Sequence, residues 1–385
     1  MNGVIGKNYY RIQSQLMNIL LCSPFRVASE FVQGGIVVWA QNILDYYSSH
    51  PSDVHIQVTS FDRKVRTNAK GEDGLLKRVW FGVLDYSGAI KNARKQLESH
   101  HIDVLHLCTS ASISLAKDIL ILKMAKRKGV RTAVHFHFGR IPELEQLNNW
   151  EWKMIQRVAR MADSVITMDL KSYRALEKHG FKNIHYLPNP LSLGIMEQIS
   201  SFKKTAARED RKLCFAGHVI RTKGVFELVE ACKGIEGIKL HVIGKVTPEV
   251  RGKMEEIADG DWLVFEGEVD HQVVIQEMLS SSIFILPSYT EGFPNVILES
   301  MACGCAIVAT SVGAIPEMLD INSSAPCGLC CEPKDVEGLR RNIKFFLDHP
   351  IEAQLYAGRA VKRVNEMYAI PKVWEQLVEI WKGVC

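Results

Sequence analysis

Short apolar runs, each followed by a longer amphipathic stretch, recur along the whole chain, and this alternation restricts the fold more than any other feature. Runs of that length between turn residues read as strands buried on both faces, and strands alternating with helices argue for a parallel sheet covered on each side. In the first half the expected strands are Asn18–Ser23, Val54–Ser60, Asp103–Cys108, Thr132–Phe138, Ser164–Met168 and Ile184–Leu187, with helices over Ile36–Tyr47 and Ile113–Lys128. Pro188-Asn189-Pro190 then excludes helix and sheet alike, so a domain boundary belongs there. The pattern restarts with strands at Leu213–Ala216, Lys239–Ile243, Trp262–Phe265, Ile283–Leu286 and Ala306–Ala309. The reading is α/β, with an N-terminal Rossmann-like domain over 1–188 and a second over 189–369. Trp374, Leu377, Val378 and Trp381 make an apolar stripe in a last helix, 370–385, expected to pack back on the first domain.

At 385 residues the chain suits two domains, and a formal charge of +4 is too small to argue for nucleic acid. Ten cysteines, scattered singly or within strand-like runs, suggest reduced thiols and a cytoplasmic setting. The N-terminus carries Lys7 and Arg11 with no apolar core before Ile19, so residues 1–17 read as a loose leader, and no long apolar window predicts a membrane span.

Chemistry concentrates in two stretches. Ser288–Glu299 follows an apolar strand, closes a polar loop at Gly292 and enters a helix expected to start with Pro294. Outward amides of that first turn suit an anion or a ring of hydroxyls. Glu291 and Glu299 bracket it, and carboxylates should face neutral hydroxyls such as those of a sugar or a ribose. The second stretch, Phe215–Gly224, joins a strand to a helix, with Gly217 and Gly224 at its bends and His218, Arg221 and Lys223 between. Cations at a strand's carboxyl end suit a diphosphate; a solvated turn is the plain alternative.

Other features are less directed. His135 and His137 would share one face of a strand, His106 would end another, and Arg140 follows at the same mouth. Core histidine and a contact to the acceptor or the donor sugar both remain open for them. Asp259-Gly260-Asp261 reads as a turn, and Cys327, Cys330 and Cys331 as inert thiols, so no metal site is expected. Basic residues of 117–131, together with Lys64, Arg66, Lys77, Arg78, Trp80 and Phe81, make either a solvated face or one for an anionic bilayer.

The string SYTEGFPNVILESMACGCAIVATSVGAIPEM over Ser288–Met318, with FAGHVIRTKGVFELVEA, LHVIG and VHFHFG, resembles the retaining glycosyltransferases of family 4. That resemblance implies the GT-B fold, two Rossmann-like doubly wound domains facing across a cleft. It further implies that Glu291 contacts the donor sugar, and that Gly292, Phe293 and Asn295 supply backbone around sugar and diphosphate. Glu299 would bind the ribose diol, Lys223 would neutralise the diphosphate, and His137 would lie near the reacting centre, with His135 competing for that role. Gly35 and Gly217 would let their loops approach the phosphates. The family's arginine after the glycine matching Gly217 is here His218, and Arg221 is the candidate replacement.

The function expected is sugar transfer, with retention, from a nucleotide-diphosphate sugar to an acceptor hydroxyl, without metal or other cofactor. A lipid-linked saccharide in surface polysaccharide synthesis is the leading acceptor, used by a cytoplasmic protein peripheral to the inner membrane face. A nucleotide-sugar epimerase and an inactive sugar-nucleotide-binding subunit are the rival readings.

Overall fold

The structure, a computed structural model, describes residues 16–25, 35–60 and 75–384. Most of the supposed leader, and Lys64 and Arg66, lie outside the described residues, as do the side chains of Lys77, Arg78, Trp80 and Phe81. The strands in chain order are β1 (Met17–Ser23), β2 (Val54–Ser60), β3 (Val104–Thr109), β4 (Arg131–Phe136), β5 (Ser164–Thr167), β6 (Ile184–Tyr186), β7 (Glu209–Ala216), β8 (Lys239–Ile243), β9 (Leu263–Gly267), β10 (Ser281–Leu286), β11 (Ala306–Thr310) and β12 (Leu329–Cys331). They form two six-stranded sheets, ordered β2-β1-β3-β4-β5-β6 and β12-β11-β10-β7-β8-β9. Parallel pairing joins β1 to β2 and β3, and runs unbroken from β12 through β9 in the second sheet.

The chain forms two compact units, one of residues 1–135, 154–165 and 378–385, the other of 136–153 and 166–377. The core of the second is continuous, from Leu213, Phe215 and Ile283 in the sheet to Leu298, Ile315 and Tyr368 outside it. After Pro188-Asn189-Pro190, all buried, Leu191 pairs with the segment that precedes the last helix: its N–H donates to the Tyr368 carbonyl (2.7 Å), and Ile370 N–H donates back (3.1 Å). Two prolines leave this stretch without backbone donors for a helix or a ladder, and the next residue stitches two connecting segments together.

Strand ends differ from expectation where burial on both faces hides the period. β4 ends at Phe136, so His137 lies just past the strand that holds His135. β7 begins four residues before Leu213, at Glu209, and takes in the polar residues Glu209, Asp210, Arg211 and Lys212. Cys330 and Cys331 lie in β12, and burial pushes their thiols up to about 12 and about 11, which suits inert cysteines. Every described cysteine is free. Asp259, left-handed at the end of helix Pro248–Ala258, is a turn residue as expected. Lys117 does not belong to an exposed basic face: it is buried and paired with Asp118, which also accepts from Thr109 Oγ1 at 2.6 Å. Among the described residues no helix is long and apolar enough to cross a membrane.

Two glycines fix where the loops above the second sheet go. Gly224 has φ +69°, and a Cβ there would meet the Pro287 carbonyl oxygen at 2.0 Å. At Gly313 (φ +55°) a Cβ would likewise meet the Glu291 carbonyl oxygen at 2.3 Å. The loops after β7, β10 and β11 therefore pack backbone to backbone. Gly224→Ala combines a left-handed strain of about 1–3 kcal/mol with that clash. It is expected to lower the melting temperature by several degrees, and a midpoint equal to wild type would show that the loops are not packed this way.

Below them, the Glu317 carboxylate accepts the Leu170 N–H at 2.6 Å. Burial pushes its carboxyl up to about 7, and the neighbouring Asp169, itself raised to about 6, adds to the shift. The folded state thus holds a proton that the unfolded chain releases near the ordinary glutamate value of 4.5, so Glu317 lowers stability as pH rises from 4.5 to about 7. Glu317→Gln should match wild type in melting temperature at pH 5 and exceed it at pH 8. A difference that does not change with pH would refute this account.

Candidate functional site

In the second sheet the chain runs β7 to β8 to β9 toward one edge, then returns to β10 on the other side of β7. Connections leaving the carboxyl ends of β7 and β10 diverge, and in a doubly wound sheet a ligand crevice opens at such a reversal. These two connections are the two stretches that carry the candidate chemistry.

After β7 the chain turns through Gly217 (φ +149°), whose N–H donates to the Ile243 carbonyl at 3.0 Å. His218 is exposed. A short 3-10 turn, Arg221–Lys223, follows, and its Thr222 carbonyl accepts the Tyr289 N–H of the β10 loop at 2.9 Å. Lys223 Nζ reaches Glu291 Oε1 at 2.6 Å, both side chains half-buried. Tyr289 donates its hydroxyl to Glu227 Oε1 at 2.6 Å, and the Arg221 guanidinium is near enough to act on the same hydroxyl. Arg221 thus stands in the site beside Lys223, while His218 keeps its imidazole in solvent.

The β10 loop is held from beneath. Thr310 Oγ1 donates to the Ser288 carbonyl (2.5 Å), and Ala314 N–H donates to the Gly292 carbonyl (2.9 Å). Gly139, after β4, lies so near that a Cβ on it would be 3.1 Å from Gly292 Cα; this brings the histidine stretch up to the glutamate loop. His137 is half-buried in that stretch. Pro294 is the residue before the helix Asn295–Cys303, not its first residue: its ψ of 112° is extended, and its carbonyl accepts Ile297 N–H at 3.0 Å. The amides of Asn295 and Val296 are therefore those the helix start leaves without an intrahelical acceptor. Phe293 packs into the core, 5.7 Å from the Tyr368 ring, so its contribution at the site is backbone. Asn189 Nδ2 lies 3.4 Å from the Phe293 carbonyl and 3.3 Å from Asn295 Oδ1.

Glu299 is 8 % exposed, and its Oε1 lies 3.1 Å from His271 Nε2 at the start of the helix His271–Ser280. The hydrogen bond to that carboxylate raises the His271 pKa, against the opposing effect of burial. His271, Tyr289, Glu227 and Asn189 were not singled out in the sequence. His271 had one legible signal, a histidine just past the carboxyl end of an expected strand.

Elsewhere the sequence candidates fare differently. His106 lies in mid-strand, fully buried, stacked 5.4 Å from Trp39 and accepting the Trp381 indole N–H at 3.0 Å. Burial alone drives its pKa down to about 3. His135 is equally buried, edge-on to Trp39 at 4.9 Å. Both are core histidines, since a parallel sheet buries both faces of its strands. Arg140 is exposed, 3.6 Å from Glu151. Gly35 opens the helix Gly35–Ser49, exposed, with open space where a Cβ would stand. Among the described residues, His241, Glu266 and Glu277 could offer ligand atoms to a cation, but the Lys212 ammonium already sits 3.1 Å from Glu277. That makes them an ion-pair network.

Comparison with known proteins places the chain in a family. A sequence profile for "Glycosyltransferase Family 4" matches residues 33–194, and one for "Glycosyl transferases group 1" matches residues 196–363. An uncharacterised 41.2 kDa protein in the cps region of Klebsiella pneumoniae is 23 % identical over 301 residues, 76 % of this chain and 82 % of that one. A putative teichuronic acid biosynthesis glycosyltransferase of Bacillus subtilis, TuaC, is 25 % identical over 174 residues, a match that spans 42 % of each chain. The structure of sucrose-phosphate synthase from Thermosynechococcus elongatus superposes with a TM-score of 0.71 at 17 % identity, covering 96 % of this chain and 99 % of that one. The chain belongs to the group 1, family 4 glycosyltransferases and has their α/β GT-B fold.

Proposed function

We propose that this protein transfers a sugar from a nucleotide-diphosphate sugar to an acceptor hydroxyl, with retention of the donor's anomeric configuration. One observation carries the reading: the β7 and β10 loops meet at the sheet reversal so that Lys223 contacts Glu291, while Glu299 stands on the helix that rises from the same loop. The spatial division of charge supports it. Lys223 and Arg221 offer cations for the diphosphate, and the first amides of the helix Asn295–Cys303 add partial positive charge. Glu291 and Glu299 are left to accept from hydroxyls, Glu291 from the donor sugar and Glu299 from the ribose.

In this reading the protein acts by positioning the donor and stabilising charge on the departing diphosphate. Lys223, held by Glu291 before the donor arrives, is already aimed at the loop and loses little side-chain freedom on binding. The departing phosphate helps deprotonate the acceptor, as the family resemblance implies, and no cofactor takes part. His137, as the family resemblance implies, lies near the reacting centre.

Surface polysaccharide assembly is the proposed setting, supported by the cps-region and teichuronic acid relatives. A lipid-linked saccharide at the inner face of the cytoplasmic membrane is the proposed acceptor. The helix Ser114–Arg127 favours that choice: Leu120 is 48 % exposed, Ile113 just before the helix is 60 % exposed, and Lys123, Lys126 and Arg127 are exposed with them.

Lys223→Ala should lower turnover ~10²–10³-fold, the usual loss for one transition-state charge contact. Wild-type turnover in that variant would remove Lys223 from the mechanism, and product formed from donor alone would favour the epimerase reading. In flotation with vesicles containing an anionic phospholipid, Leu120→Glu combined with Lys123→Glu should reduce the bound fraction. Binding indifferent to both lipid charge and these substitutions would argue against a membrane-borne acceptor.

A further inference from the structure

Glu299 and His271 form a pair that the family resemblance did not anticipate. The carboxylate is nearly buried and the imidazole is 48 % exposed, so the histidine stands between the glutamate and solvent. Nε2 to Oε1 is 3.1 Å, which leaves Oε2 as the carboxylate's other acceptor. His271 comes directly after the connection that leaves β9, on an element separate from the one bearing Glu299. A carboxylate on a helix side chain can swing about its terminal bonds, whereas one oxygen tied to a second helix cannot. From this geometry we infer that His271 is the positioning residue for Glu299, orienting its free oxygen toward a nucleotide's ribose hydroxyl. The inference rests on the reading of this loop as a nucleotide-sugar site.

The electrostatics give that role a signature. The helix His271–Ser280 packs against β7, β10 and the helices Leu193–Phe202 and Asn295–Cys303. Those elements and its own bring Glu197, Glu209, Asp210, Arg211, Lys212, Glu277 and Glu299. Of them Lys212 is engaged with Glu209 and Glu277, and Glu277 also meets His241. Glu299 is the charged group that acts on the His271 ring. Its position at a helix start disfavours the imidazolium, so the protonated form owes its stability to Glu299. The folded pKa lies above the ordinary 6.5, so imidazolium and carboxylate are held together below that value and the charge is lost as pH rises through it. A neutral imidazole donates a weaker hydrogen bond and no longer attracts the anionic donor.

The test is calorimetric binding of UDP-glucose, UDP-N-acetylglucosamine and GDP-mannose to the full chain at pH 6, 7.5 and 9, continued with whichever binds most tightly. The diphosphate does not titrate across this range; the uracil and guanine N–H groups begin to at its top, an effect shared by wild type and His271→Gln that their comparison removes. Wild-type Kd should weaken about three- to tenfold from pH 6 to pH 9, as expected for loss of one charge-assisted hydrogen bond. His271→Gln keeps a donor without a titrating charge and should bind with no such dependence. His271→Ala should weaken binding at every pH and raise donor KM with kcat little changed. Wild-type affinity in His271→Ala, or an unchanged pH profile in His271→Gln, would overturn the positioning role. Glu299→Ala separates the two levels: binding sensitive to Glu299→Ala but not to His271 defeats this inference alone. Failure of all three probes to bind the wild type defeats the site reading with it.

Discussion

Everything at the candidate site depends on the reversal between β7 and β10. Parallel strands joined by helices can be added on either side of a starting strand, and within the second sheet the chain changes direction only at β7. At that place two neighbouring strands send their following loops to opposite faces, and no crossing helix fills the space above them. The pairing of Ile283 with Leu213 and Phe284 with Cys214 sets the register of the two carboxyl ends. Contacts at Gly224 and Gly313 then clamp the loops as backbone, so Lys223 and Glu291 meet although 68 positions apart.

A second regularity is that each motif glutamate has a basic partner before any ligand arrives. Glu291 has Lys223 and Glu299 has His271. A carboxylate withdrawn from water without a partner would shift its pKa or move, at a cost of several kcal/mol. Pairing holds one oxygen of each side chain and leaves the other as an acceptor. Glu317 differs: it takes a backbone N–H, and burial pushes its carboxyl up to about 7. The same chain therefore holds glutamates suited to binding hydroxyls and one suited to holding a proton.

The histidines of the first sheet illustrate how identical residue types separate by one or two positions. His106 and His135 are strand residues packed with Trp39 and Trp381, and they act as flat, weakly polar core side chains. His137 has left the strand and stands in a loop that runs against Gly292 through Gly139. What separates these roles is the last hydrogen-bonded residue of β4.

The alternation of strands and helices, the lack of helix and strand at Pro188-Asn189-Pro190 and the Glu291–Glu299 loop are local properties, and each was legible along the sequence. Apolar runs report burial, prolines remove backbone donors, and a glycine-closed loop before a helix exposes amides wherever it is placed. The strand ends at Phe136 and Glu209, the burial of Lys117, and the core placement of His106 and His135 were not legible. In a sheet covered on both faces no period marks which side a residue meets or where pairing stops. The Lys223–Glu291 and His271–Glu299 pairs were decided by tertiary structure alone. They join elements whose proximity comes from strand order, and strand order follows from which helices pack on which face, a property of the whole chain that no single stretch carries.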